Sequence, residues 1–265
     1  MRKLRHAYLI MAHGEFGVLR RLVAALDDEG NDIYIHIDRK VKKMPVLSTE
    51  HSSLAMLRNR INVKWGTVSQ IRTELLLLET AAANGPYDFY HIISGTHLPL
   101  VSLMELNTFY ELHLGQEISR IWPEDAGDAE FKLRRYHIFK SCNILWRACL
   151  RVQRILGMRR NKDSKFIKTD NWMSLSERAC TYLVRHKRQI LKKYARTHCA
   201  DEYFAASELA EAGGFDLFDY PRLLHVRFKG ANAESFPISA LDALRDTNCL
   251  WARKFTENEN VEFEK

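Results

Sequence analysis

The chain has 265 residues, 46% hydrophobic and 11% aromatic, enough to bury a sizeable core and too apolar for a disordered protein. Apolar runs such as Ala7 to Ala12 and Leu75 to Leu78 fall far short of the roughly 20 residues of a membrane span. The net charge of +7 admits a solvated helix face, a patch for anionic lipid or phosphorylated substrate, or nucleic acid; no recognised nucleic-acid module or interleaved aromatics accompany it.

The basic residues crowd Lys132, Arg134, Arg135, Arg147, Arg151, Arg154, Arg159, Arg160, Lys162 and Lys165, with a second cluster from Lys187 to Arg196. The five cysteines are odd in number and widely spaced, without Cys-x-x-Cys, as in a reducing compartment. Cys142 and Cys149 stand seven apart, a helical spacing that suits core packing. Met1 to Arg5 resembles the start of a signal peptide, but His13-Gly14-Glu15 interrupts the apolar stretch and no cleavage site follows. A cytoplasmic location is therefore expected.

In chain order, residues 6–12 read as a strand buried on both faces, followed by a polar turn at His13-Gly14-Glu15. A helix is predicted from Phe16 to Leu26, broken at Asn31-Asp32, then a strand from Ile33 to Asp38. A short third strand is predicted at Asn62 to Trp65. Ser69 is placed to cap a helix from Gln70 to Asn84, ended by Gly85-Pro86. A fourth strand at Phe89 to Ile93 leads into a Ser94-Gly95 turn.

Such βαβ units imply an α/β sheet with its ligand beyond the carboxyl ends of the strands. The polar residues there are His13, Gly14, Asp38, Arg39, Ser94, Gly95, Thr96 and His97. The stretch 117–170 lacks a clean period and reads as an irregular, substrate-facing excursion. A strand or turn enters a helix over Trp172 to Arg185 with Ser176 near its N-cap, and another helix runs from Glu202 to Ala212, stopped by Gly213-Gly214. With no repeat or linker, a single domain over 1–265 is expected, its nucleotide-binding half near 1–115 and its acceptor-side half near 116–265.

Two motifs can carry chemistry. Asp201-Glu202 precedes an aromatic-apolar helix start, where a carboxylate is either an acidic cap or a base held for an acceptor hydroxyl. Arg253-Lys254, between Trp251 and Phe255, is either a surface pair or a clamp for an anionic leaving group, with Arg227 as a second cation. No Asp-x-Asp occurs; Asp27-Asp28-Glu29 and Asp128-Ala129-Glu130 are the nearest substitutes, the second in an expected surface loop. The Gly-x-Ser-x-Gly elbow and the phosphate-loop fingerprints are absent, and Gly14-Glu15-Phe16-Gly17 is too sparse to count. Most of the eleven histidines read as structural or surface groups.

Several segments in order resemble the core-2/I-branching β-1,6-N-acetylglucosaminyltransferases and their peptide O-xylosyltransferase relatives. These are Ala7 to His13, Ile33 to Lys40, Val63 to Ser69, Tyr87 to Leu100 with its Ser94-Gly95-Thr96-His97-Leu98-Pro99, Asn171 to Ser176, Asp201 to Phe204 and Trp251 to Phe255. The resemblance implies a GT-A-like α/β fold with a Rossmann-like N-terminal half, a UDP-sugar donor, inversion and no metal or other cofactor. It implies Glu202 as catalytic base, Lys254 as diphosphate clamp with Arg227, and donor contacts at His13, Asp38, Trp65, Ser94, Gly95 and Arg253. N-acetylglucosamine is the expected sugar, with xylose as the alternative, and a glycan or lipid-linked glycan the expected acceptor in bacterial polysaccharide or glycoconjugate synthesis. A peripheral place at the inner face of the membrane is expected from the basic clusters. His97 stands where the family has Asp, which leaves open a relative that binds nucleotide or glycan without catalysis. By the same resemblance Asp201 is the helix cap, so that Asp201→Asn should mainly cost stability.

Overall fold

In the computed structural model, which describes residues 3–138, 143–230 and 232–261, His6–Ala12 forms the central strand β1. It pairs in parallel with β2 (Asn31–Ile37), which carries β3 (Ser53–Met56) at the sheet edge. On its other side β1 pairs in parallel with β4 (Phe89–Ser94). Two helices make the crossovers, α1 (Phe16–Ala25) and α2 (Ser69–Ala82). After β4 come β5 (Leu98–Pro99), α3 (Leu103–Leu112), β6 (Gln116–Ser119), α4 (Ala126–Leu133), α5 (Ile144–Ile155) and β7 (Met173–Leu175). Then follow α6 (Glu177–Arg185), α7 (Lys187–Lys193), a single 3-10 turn at Ala200–Glu202, α8 (Phe204–Ala212) and β8 (Asp216–Asp219).

The seven-stranded sheet has the order β3-β2-β1-β4-β7-β6-β8. Strand β7 runs antiparallel to both β4 and β6, whereas β8 is parallel to β6. The two halves of the chain thus share one sheet. Three polar groups inside it are internally matched: His6 Nδ1 meets His91 Nε2 at 2.9 Å, and His91 Nδ1 meets Ser174 Oγ at 2.8 Å. Burial pushes both imidazoles well below their usual pKa, so they sit neutral, as structural histidines should.

Downstream lie β9 (Leu224–His225), the hairpin strands β10 (Phe228–Lys229) and β11 (Asn232–Ala233), β12 (Phe236–Pro237), α9 (Leu241–Arg245), β13 (Trp251–Ala252) and β14 (Phe255–Thr256). Strand β13 lies between β5 and β9, and β14 pairs with β12. These short ladders carry the C-terminal segment back across the carboxyl end of the main sheet.

Four expectations are corrected. The third strand is Ser53–Met56, not 62–65. Residues 61–63 are held to the end of β2 by side chains instead of a ladder: Ile61 N donates to His36 Nε2 at 2.8 Å and Val63 N to Asp38 Oδ2 at 3.1 Å. Ser69 lies inside α2 and does not cap it; its hydroxyl accepts from Lys64 N at 2.8 Å and so closes the preceding loop. The 117–170 stretch contains two ordered helices, α4 and α5, and Asp128-Ala129-Glu130 lies in α4 instead of a loop. Glu202 ends a 3-10 turn, and the helix expected from Glu202 starts only at Phe204. Ser176 does cap α6, accepting from Ala179 N at 3.2 Å. Cys142 lies outside the described residues, while Cys149 is half-buried on α5.

Gly95, just past β4, packs against the end of β1. A Cβ there would lie 2.7 Å from the Ala12 Cβ, inside any real contact. Gly95→Ala is expected to destabilise the protein by about 1–3 kcal/mol through overpacking, read as a lower urea midpoint at unchanged slope.

Candidate active site

The carboxyl ends of β1, β2 and β4 are bound together by the backbone. Asp38 N donates to Ala12 O at 2.9 Å and Gly95 N to Met11 O at 2.9 Å. His13, just past β1, is exposed. Asp38 is buried, and its carboxylate is spent on the local backbone, accepting from Lys40 N at 2.8 Å as well as from Val63 N.

Ser94 faces His97 rather than the carboxylate the family carries at that position. His97 Nδ1 accepts from Ser94 Oγ at 2.7 Å and Ser94 N at 3.1 Å, while His97 N donates to Ser94 O at 3.1 Å. The ring is buried edge-on to Trp172, 5.1 Å between centroids. Burial, then the Arg253 charge, push its pKa well below the usual value. A neutral ring with an unprotonated Nδ1 therefore does what a carboxylate oxygen would do, accepting the hydrogen bonds that close the turn.

The C-terminal segment crosses these strand ends. Arg253 N donates to His225 O at 3.0 Å and Phe255 N to Thr96 O at 3.0 Å. Glu15 then accepts from Thr256 Oγ1 at 3.1 Å and Glu257 N at 2.7 Å, tying the segment to the loop before α1. Strand β13 is parallel to β9 with Ala252 beside His225. Lys254 and Arg227 each stand two residues beyond that pair. The two basic residues of the Arg253-Lys254 pair differ in placement. The Arg253 guanidinium lies over the Trp172 ring at 5.1 Å, and burial pulls its pKa down to about 10 against the pull of Asp170. Its Nε is buried without a hydrogen-bond partner. The Lys254 ammonium has no ion pair among the described residues and is half-buried.

Glu202 ends the 3-10 turn before α8. Its Oε2 lies 2.8 Å from Lys132 Nζ, and its side chain is 36% exposed, open to a second molecule. Lys132 also reaches Asp128 at 3.1 Å, and Asp128 is held further by Lys168 at 2.7 Å and the Tyr203 hydroxyl at 2.5 Å. Burial works against the Lys132 charge, but the bonds from Glu202 and Asp128 outweigh it and raise its pKa. The backbone is anchored too, with Thr169 N donating to Glu202 O at 2.8 Å. The segment that follows, Asp170 to Trp172, leads directly to Arg253.

Asp201 is not a cap: α8 starts three residues later and has no side-chain cap. It points inward, where its Oδ2 accepts from Gln70 Nε2 at 2.7 Å. Gln70 Oε1 in turn accepts from Gly66 N at 2.6 Å, and Cys199 N donates to Gly66 O at 3.1 Å. One glutamine thus joins the loop of Trp65-Gly66 to the turn that carries Glu202. Asp201 Oδ1 and Glu74 Oε1 are buried with no partner. Burial, then the charge of Glu202, raise Asp201 to a pKa of about 7, and burial followed by Asp201 raises Glu74 well above the carboxylate range.

The structure brings Thr96 and the Arg253-to-Phe255 segment together at the strand ends, and links Glu202 to that segment only through Thr169 to Trp172. Trp65 is 70% exposed, edge-on to His198 at 5.4 Å. Lys132, Gln70 and Glu74 were missed in the sequence; the Asp128–Lys132 spacing of four on one helix was the one signal that could have found Lys132. A cavity of about 950 Å³ beside α4 includes Tyr203 and Lys168 in its lining but neither Glu202 nor Lys254. Among the described residues no group of three His, Cys, Asp or Glu side chains is placed to hold a metal ion. Asp27 is spent on the backbone of Glu50, His51 and Ser52, and Glu130 on Arg135 and Arg159.

The mixed α/β fold with a parallel-rich central sheet is that of a GT-A-like single domain. The chain belongs to the Core-2/I-Branching enzyme family, whose model matches residues 6–225. This is a family of glycosyltransferases, which implies a nucleotide-sugar donor and a glycan acceptor. Arg227, Arg253 and Lys254 lie beyond the matched span. Comparison with individually curated proteins returns no match.

Proposed function

We propose that the chain is an inverting, metal-independent transferase that moves N-acetylglucosamine from its UDP conjugate to a glycan hydroxyl in polysaccharide or glycoconjugate synthesis. Glu202 takes the proton of the acceptor hydroxyl, whose oxygen attacks the anomeric carbon as the bond to the UDP oxygen breaks. Lys254 and Arg227 stabilise the charge that appears on the departing diphosphate. The observation that carries this reading is Glu202 itself, a part-exposed carboxylate bonded to Lys132 on a turn that Asp201 and Gln70 tie to the loop of Trp65-Gly66. Support for the metal-free route comes from Asp128 and Glu130, whose carboxylates are engaged by lysine and arginine side chains. A UDP-xylose donor is the alternative sugar. Against a binding-only relative speaks the presence of Glu202 and Lys254 together with a Ser94 turn that His97 Nδ1 closes by accepting two hydrogen bonds.

The test is UDP release from UDP-N-acetylglucosamine and from UDP-xylose in the presence of EDTA. Release is expected without added metal, and Lys254→Ala is expected to lower kcat/KM by roughly 100-fold. Turnover that appears only with Mn²⁺ contradicts the mechanism.

A further inference from the structure

We propose that α5 docks the protein on an anionic lipid surface, its outward aliphatic face entering the headgroup region. The helix has three faces. Trp146 and Gln153 hold it to the protein: Trp146 Nε1 donates to His137 Nδ1 at 3.2 Å, and Gln153 exchanges bonds with Tyr136, accepting from its N at 2.7 Å and donating to its O at 2.9 Å. Turned away from that anchor are Ile144, Leu145, Ala148, Val152, Ile155 and Leu156, which recur at helical spacing and are all exposed. Ile144 and Ile155 are 85% and 82% exposed. Along the remaining flank run Arg147, Arg151 and Arg154, also exposed and without an ion pair among the described residues.

Charge decides what covers this face. Residues 143–162 contain six Lys or Arg and no carboxylate. An aliphatic stripe beside an arginine row matches a bilayer whose surface is anionic and whose interior is apolar. A second copy would bring two cationic faces together, and nucleic acid would leave the isoleucines and leucines without a partner. Part of the basic clusters is engaged elsewhere. Lys132 binds Asp128 and Glu202, Arg135 and Arg159 bind Glu130, Lys187 binds Glu79, and Lys193 binds Glu208 and Glu211. What sets α5 apart is that its exposed arginines stand on the same helix as an exposed aliphatic stripe.

The surface is coupled to the site by packing. Trp146 lies 6.4 Å from His198, and His198 N donates to Lys132 O at 2.9 Å. Docking through α5 therefore holds the wall that carries Lys132 and Glu202 beside the membrane. This inference does not depend on the transferase reading.

Cosedimentation of the full chain with phosphatidylglycerol–phosphatidylcholine vesicles, and with phosphatidylcholine alone, tests it. Wild type is expected to bind the anionic vesicles preferentially. The Ile144→Ser, Ile155→Ser double variant is expected to lose at least ~10-fold in partitioning, and Arg147→Gln, Arg151→Gln, Arg154→Gln together roughly 100-fold. Melting temperature should not change in either, since the replaced side chains are exposed. The proposal is overturned if wild type ignores anionic vesicles, binds both compositions equally, or is matched by the variants. It is equally overturned by a dimer in sedimentation velocity that the isoleucine variant dissolves, or by oligonucleotide binding that depends on the arginines while vesicle binding does not.

Discussion

Glu202→Gln is expected to lower kcat for sugar transfer by about 10²–10⁴-fold, with donor binding and melting temperature unchanged. Gln keeps an oxygen for the 2.8 Å contact with Lys132 but cannot accept the acceptor's proton. Lys132 retains Asp128 at 3.1 Å, so no buried charge is stranded, and the position is open enough for the amide to be solvated. Single-turnover transfer assays, with donor affinity read by thermal shift, separate the chemical step from binding. A variant that keeps more than a tenth of wild-type kcat would place the base elsewhere.

Asp201→Asn is expected to make the protein more stable above neutral pH, the reverse of what a helix cap would show. The pKa of Asp201 rises from 3.8 in the unfolded chain to about 7 in the folded one, chiefly through burial. Below pH 3.8 both states are protonated and the group has no effect. Between 3.8 and about 7 the unfolded chain has lost the proton that the folded one keeps, so stability falls as pH rises, and the loss is complete above about 7. That interval corresponds to a loss on the order of 4 kcal/mol. An amide carries no such term and still offers an oxygen to Gln70 Nε2.

Buried neutral histidines such as His6 and His91 contribute a slope of opposite sign as the unfolded chain loses its imidazolium protons. They are common to both proteins, so the difference between variant and wild type isolates Asp201. Glu74, Glu202 and Lys132 face the same group and set the size of the effect. Urea unfolding at pH 5 and pH 8 measures it. An equal loss of stability in both proteins between those values would show that Asp201 does not carry the proton. Glu202 is adjacent in sequence to this buried carboxyl group, a costly arrangement of the kind that accumulates at functional sites.

The parallel strands and their order of appearance were legible because a strand buried on both faces is written as consecutive apolar residues, as in Tyr8, Leu9 and Ile10. The same local logic located Asp38 and Ser94 at strand ends. It failed at α5, whose apolar residues serve two faces: Trp146 and Leu150 inward, Val152 and Ile155 outward. Their sum hides the helical period, and only burial separates the two sets. It failed at 62–65 because His36 and Asp38 side chains hold that stretch where a ladder was expected.

The sequence by itself determined the α/β class, the placement of Asp38 and Ser94 at strand ends and the two motifs that bear charge, since each depends on residues near one another in the chain. Tertiary structure alone decided their contacts. Lys132 meets Glu202 across 70 residues and Gln70 meets Asp201 across 131, and no local pattern records contacts at that range. Burial then divided Asp201-Glu202 into an inward carboxyl group whose pKa is raised to about 7 and a part-exposed carboxylate bonded to Lys132.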